Sequence, residues 1–319
     1  MAERPSTPFP GEPAGNRWPH RLAWVTAGAT FILILVGGLV TNTDSGLAVP
    51  DWPSTFGYNM FLYPWSRMVG GILYEHSHRL IGSVVGLLTV SLAVVTWAVE
   101  PRRWLRGLAG AALGAVVLQG VLGGLRVVLL EENLAILHGI LAQAFFGLVA
   151  SLVLFTSREW GQPAAPLQGR DAGVLRWLSR LTTLAIFLQI VFGALLTHLG
   201  MRLDAHLTFA ALIAVLVPLA AVRVWREHPA DRRLTRPGSI LCGLLVLQLL
   251  LGLGSYLGEF TGVLVPLGPW PMLVLPISHR LTGGLMLVTS LVLTLRLERA
   301  LGAQAPVPDR GSVSGRVPA

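Results

Sequence analysis

The residues best able to do chemistry in this chain are its eight histidines, at positions 20, 76, 78, 138, 198, 206, 228 and 279. Four of them, His78, His138, His206 and His279, each stand near the start of every second long apolar run. In a chain that threads back and forth across a membrane, these four imidazoles fall at a similar depth beneath one leaflet. An imidazole in hydrocarbon is costly and marks a functional or a paired interior site. Two in each half of the chain, on two helices of one bundle, is the layout that holds a haem iron between axial nitrogens. Four core histidines, each bonded to a neighbouring carbonyl, are the alternative. Zinc is poorly served, because two histidines and few carboxylates per half fall short of its three or four ligands. His20 and His228 fall in segments assigned to the cytoplasm and read as solvated.

One carboxylate stands beside this set. Glu75 precedes His78 by three residues, a spacing that puts both on one helical face, whereas Leu203 holds that place before His206. A carboxyl at this place could shuttle protons or, as a carboxylate, stabilise positive charge developing on a bound group. A helix-start carboxylate favoured by the dipole is the plainer reading. His76 points about 200° away from His78 and is the lesser candidate. Both His78-Arg79-Leu80-Ile81-Gly82 and His279-Arg280-Leu281-Thr282-Gly283 read His-Arg-Leu-x-Gly. Arg79 and Arg280 would suit a haem propionate, since guanidinium forks match carboxylates. Snorkelling to headgroups is their other use.

The elements that carry these residues follow from composition. Of 319 residues 53% are hydrophobic and 13% charged, with mean hydropathy +0.65, against about 25% charged in a soluble domain. A soluble enzyme and a disordered chain are both excluded. The single cysteine, Cys242, excludes a disulfide scaffold, a Cys-rich zinc site and a Cys-ligated iron–sulfur cluster. At about 20 residues per crossing, spans are expected at 22–42, 74–98, 105–128, 134–156, 174–197, 206–225, 238–258 and 274–296. All 24 basic residues are arginine, and 19 of them fall on the side that holds both termini, with Arg67, Arg79, Arg126, Arg202 and Arg280 on the other. The positive-inside rule puts both termini in the cytoplasm and the four histidines toward the outer leaflet. The net charge of +8 is therefore topology and not a nucleic-acid patch. The first span reads as an uncleaved anchor, and the Pro-rich ends at 1–19 and 301–319 read as disordered.

The chain also repeats itself. Phe31 to Thr41 aligns without a gap on Phe187 to Thr197, keeping Phe, Gly, Leu and Thr in step. Gln-x-x-x-Gly recurs as Gln119/Gly123, Gln189/Gly193 and Gln248/Gly252, a spacing that suits either interhelical packing or the lining of a cofactor site. The expectation is an all-α integral membrane fold, eight transmembrane helices forming two pseudo-repeated four-helix bundles. A tail at 1–21 precedes halves at 22–160 and 161–300, and a second tail follows at 301–319. The halves differ in one respect: 37 residues run from Thr41 to His78 but only 9 from Thr197 to His206. The first half thus carries a long outer loop, Asn42 to about Leu73, which contains Ser45-Gly46-Leu47 and Asp51-Trp52-Pro53.

That loop, Glu75-His76-Ser77-His78-Arg79, Gln119 to Gly124 and His279-Arg280 resemble the haem A synthase family over about residues 22–298. The resemblance implies oxidation of the C8 methyl group of haem O to the formyl group of haem A in the plasma membrane. It implies that His78 and His138 serve a substrate haem, that His206 and His279 ligate haem b as electron-transfer cofactor, and that Glu75 is the essential glutamate. Haem O synthase and terminal oxidase assembly are the implied partners. Some members carry a cysteine pair in the outer loops, which this chain lacks. Two other functions fit the four histidines: a di-haem b electron carrier or quinol-linked cytochrome, and a haem transporter or chaperone for which Glu75 would be dispensable.

Overall fold

A computed structural model describes residues 16–162 and 172–302. The tails expected at 1–19 and 301–319 lie almost wholly outside the described residues. Among the described residues eight helices are long and apolar enough to cross a membrane: α1 (Trp18–Asn42), α2 (Gly71–Val99), α3 (Arg103–Leu129), α4 (Glu132–Phe155), then α6 (Ala172–Leu199), α7 (Leu203–Glu227), α8 (Arg232–Thr261) and α9 (Pro269–Gly302). A single turn, α5 (Arg158–Gly161), follows α4.

Every expected span is a helix, and most are longer than the apolar runs. α1 starts at Trp18, with Pro19 in its first turn, where proline's fixed φ favours a helix start. α8 starts six residues before the expected 238, because the Asp231 carboxylate accepts the Arg233 N–H at 2.8 Å and caps it. Pro237 falls early enough in α8 for the helix to run through it. α9 begins at Pro269 and takes in Pro276, so His279 stands almost three turns inside it, whereas His206 lies in the first turn of α7. The four histidines therefore do not share a position at their helix starts, although they meet in pairs.

Helices α1 to α4 pack each on the next, and α1 closes against α4; α6 to α9 do likewise, with α6 against α9. Each ring has its own core. Ala23, Ile34, Val85, Leu92, Leu105, Phe145 and Val149 fill the first, and Leu178, Ile186, Ile213, Val217, Leu241 and Met286 the second. Small residues such as Ala23, Ala93, Ala109 and Ala112 let the backbones approach, which is what drives association where lipid is as apolar as the side chains. The rings meet where α9 packs on α1 and α4 and where α4 packs on α6. There Gly38 lies against Ile277, and Gly284 lies under the Gln143 amide. At the end of the bundle that holds α5, Arg296 pairs with Glu159 at 3.1 Å and Arg176 with Glu298 at 3.0 Å, tying α5, α6 and α9 together. Large apolar side chains on the outside, among them Leu87, Val94, Trp97, Val215 and Leu250, face the lipid.

The His20 imidazole is not solvated: its Nδ1 lies 3.1 Å from the Val153 carbonyl and 3.2 Å from the Thr156 hydroxyl, bridging α1 to α4. His228 is likewise partly enclosed, with Nε2 sealed off. His20 thus finds a backbone carbonyl at the end of α4 without leaving the bundle.

Candidate functional site

The four histidines come together two by two. On the facing helices α2 and α4, the rings of His78 and His138 stand 6.3 Å apart between centroids. On α7 and α9, His206 and His279 stand 6.2 Å apart. Each ring lies on a glycine of the neighbouring helix. A Cβ at Gly37 would fall 3.1 Å from His78 Cε1, at Gly123 3.2 Å from His138, at Gly193 3.2 Å from His206 and at Gly252 2.9 Å from His279. The glycines expected either to pack helices or to line a site thus serve the histidines directly, and α1 joins the pattern with Gly37. Four residues before each glycine, the backbone carbonyl of Leu33, Gln119, Gln189 or Gln248 lies beside the same imidazole. Only that of Gln248 is in bonding geometry, at 3.2 Å from His279 Nδ1.

The glutamine amides separate the two pairs. Gln189 Nε2 is 3.2 Å from His206 Nε2 and Gln248 Nε2 is 3.2 Å from His279 Nε2. Gln119 instead donates to the His138 carbonyl at 2.9 Å, and Leu33 has no amide to offer. Sealed polar atoms without a partner gather here: Nδ1 of His78, His138 and His206, and Oε1 of Gln119, Gln189 and Gln248. The three Nδ1 atoms lie beside the carbonyls named above, just outside bonding geometry, while the amide oxygens have no protein partner.

Haem fits these residues. Two imidazoles on opposite sides of one metal atom, with metal–nitrogen bonds of about 2 Å, hold their centroids about 6 Å apart. Both pairs meet that spacing, and the glycines give each imidazole room against the neighbouring helix. Among the described residues no three of His, Cys, Asp or Glu gather as a ligand cluster.

Glu75 and Arg79 are engaged elsewhere than the sequence suggests. Arg79 donates to the carbonyls of Val49 (2.9 Å), Asp51 (2.7 Å) and Ser54 (3.1 Å), and to Glu75 Oε1 (2.6 Å). The other Glu75 oxygen accepts the Val49 N–H at 2.8 Å. Both side chains are buried, and together they clamp the loop between α1 and α2. On a helix turning 100° per residue, Glu75, Arg79 and His76 share an arc of about 100°, with His78 about 60° beyond it. His76, wholly buried, completes the clamp, with Nδ1 3.2 Å from the Thr55 hydroxyl and its ring 5.2 Å from that of Tyr63. Arg79 therefore has four bonds inside the protein, while Arg280 makes none of these contacts.

Asp51 organises the loop itself, accepting from the N–H groups of Phe56 (2.7 Å) and Gly57 (2.8 Å) and from the Ser54 hydroxyl (2.5 Å). Partial burial pushes its carboxyl up, but the donors from Gly57, Ser54 and Phe56 outweigh this and hold it below its ordinary 3.8. Trp52, next in sequence, lies on Gly124 of α3, where a Cβ would come within 2.3 Å of the indole. Gly123 and Gly124 thus seat His138 and the loop side by side.

Three participants escaped the sequence reading. Arg126, counted there only for topology, lies on α3 with its guanidinium under Gly46. Trp52 reads in the sequence as part of the outer-loop motif, with no sign of its seat on Gly124. His198, near the end of α6, reaches Glu132 of α4 at 3.7 Å across the two rings. The signal that could have drawn attention to Arg126 is its place three residues after Gly123, on the site-facing side of α3.

The sequence matches the COX15-CtaA family, described as cytochrome oxidase assembly protein, over residues 20–206, a stretch that holds His78, His138, His206 and the loop. Among similar proteins is a Heme A synthase of Shouchella clausii, 28% identical over 239 residues covering 72% of this chain and 74% of that protein. A Heme A synthase of Rhodopseudomonas palustris is 29% identical over 268 residues, 71% of this chain and 69% of its own. A third, from an Exiguobacterium species, is 30% identical over 234 residues, again 71% and 69%.

Proposed function

The chain belongs to the COX15-CtaA family of cytochrome oxidase assembly proteins, and from that premise we propose that it is a haem A synthase, an oxidoreductase that converts the C8 methyl group of haem O to a formyl group. The observation that carries the reading is the pairing of four histidines, two in each ring, at 6.3 and 6.2 Å. His78 and His138 hold the substrate haem O; His206 and His279 are the residues that would hold haem b, which when bound would supply one-electron chemistry. The two rings are copies of one unit that have divided the work, and their asymmetry supports the assignment. Gln189 and Gln248 amides meet the imidazoles of the second pair alone, and only the first pair has the clamped loop and Glu75 beside it.

What the chain's own residues do follows from their contacts. The Glu75 carboxylate, fixed by Arg79 and the Val49 N–H, puts a negative charge three residues from His78, where it stabilises positive charge developing on the substrate. The same contacts fasten the loop between α1 and α2 beside the first pair. The chain sits in the plasma membrane with both termini cytoplasmic and the histidine pairs toward the outer leaflet. Haem O reaches it from a haem O synthase, and the product passes on to terminal oxidase assembly.

The test is to express the chain in membranes supplied with haem O and separate the extracted haems by reverse-phase chromatography with mass detection. Haem A or its hydroxymethyl precursor is expected from the wild type. Glu75→Gln, which keeps an acceptor for Val49 but loses the charge, should lower product about 100-fold with haem O accumulating. The near-equivalence of the two pairs favours a second reading, a di-haem b electron carrier. Haem B and unchanged haem O alone, from folded protein, would select it.

A further inference from the structure

Two arginines from opposite rings converge on the outer end of α1. Arg126 of α3 lies under Gly46, just past that end, with its Nη2 2.5 Å from where a Cβ would stand. Arg280 of α9 lies against Gly38, inside that end, with Nη1 3.6 Å from the same construction. A side chain at position 46 would meet the Arg126 guanidinium, whereas Arg280 lies in ordinary contact with Gly38. Among the described residues neither arginine makes a hydrogen bond or ion pair, in contrast to the four bonds of Arg79. Neither has its nitrogens sealed off, as Arg296 Nε is. They also sit next to the histidines: Arg126 is a charged neighbour of His78, His138 and His198, and Arg280 of His279 and His198. A half-buried guanidinium among apolar helices is costly unless an anion meets it. Snorkelling does not answer this, because both groups turn toward α1 and its loop and not toward the lipid.

We propose that Arg126 and Arg280 are carboxylate-binding residues, each seating the propionate edge of the macrocycle held by the histidine pair of its own ring. The proposal rests on the haem reading above. It moves the propionate role in the first ring from Arg79, which the loop uses up, to Arg126. Both guanidinium groups stand near the same end of α1, so a carboxylate held by either would lie there. Guanidinium forks match carboxylates with two parallel hydrogen bonds, which fixes orientation as well as affinity.

The test uses the intact protein in phosphatidylcholine nanodiscs, titrated with ferric protoporphyrin IX and, separately, with its dimethyl ester, followed by the Soret band. The wild type should bind two equivalents of the diacid at least about tenfold more tightly than the diester. Arg126→Gln should lose that preference for one of the two equivalents, Arg280→Gln for the other, and the double variant for both. Arg67→Gln, at an exposed loop arginine that bonds Tyr58, should keep it for both, and Arg126→Lys should fall between wild type and Arg126→Gln, which guards against a folding defect. An undiminished preference in the double variant overturns the proposal, assigning the arginines to lipid phosphate or packing. Failure of monodisperse wild type to bind either porphyrin overturns the haem reading itself.

Discussion

Glu75, taken alone, is a carboxylate in a helix near a histidine; with its partners it is half of a clamp. Truncating one member of a buried, hydrogen-bonded ion pair costs about 3–5 kcal/mol, because the other charge is left without compensation. Loss of activity in a Glu75 variant therefore has two sources, the missing charge and the loosened loop, which is why glutamine is the informative replacement. Asp51 offers a cleaner reading of the loop, since it lies outside the spans. Its folded pKa is below the ordinary 3.8, so its contribution to loop stability is present in full above that value and is lost as pH falls through the lower, folded one. Pepsin cleavage of the wild-type loop, normalised to an unstructured substrate, should rise only below about pH 3.8. Asp51→Asn should show raised trypsin cleavage at Arg67 already at pH 7. Equal cleavage of the two proteins at pH 7 would remove Asp51 from the loop's support.

At the scale of helices, the sequence was readable wherever a rule is local. Runs of about 20 apolar residues located all eight spans, and the Gln-x-x-x-Gly spacing pointed to faces that do meet the histidines. Helix ends were less readable: α8 and α9 extend by a turn or more through arginines, prolines and an aspartate cap, which hydropathy counts as breaks. Least readable were contacts that join distant segments. Nothing periodic connects Arg79 to the carbonyls of Val49, Asp51 and Ser54, or Trp52 to Gly124, so the clamp was invisible and Arg79 was assigned to a propionate. The Trp52 seat carries its own test. A methyl group at Gly124 would overlap the indole, and overpacking of this kind costs about 1–3 kcal/mol. Gly124→Ala should speed trypsin cleavage at Arg67 about tenfold or more, whereas Ala at Gly114, which meets no neighbour, should leave it unchanged. Equal rates would mean that the loop does not depend on α3.

For the whole molecule, the uneven distribution of arginine makes a definite orientation testable. In a Cys242→Ser background, a cysteine at Leu62, which is 75% exposed in the loop, should react with a membrane-impermeant maleimide in intact cells. One at Arg103, at the opposite end of the bundle, should react only after permeabilisation. The reverse pattern would invert the topology and put the histidine pairs beneath the inner leaflet. The loop has a further consequence, which concerns the order of synthesis. Chains emerge N-terminus first, and the clamp is made of Val49, Asp51, Glu75, His76 and Arg79, all complete once α2 has been made. The seat for Trp52 arrives only with α3, and His138 only with α4. The clamp can thus take shape before the first ring is complete, so that α3 and α4 pack against a template already standing at the end of α1 and α2.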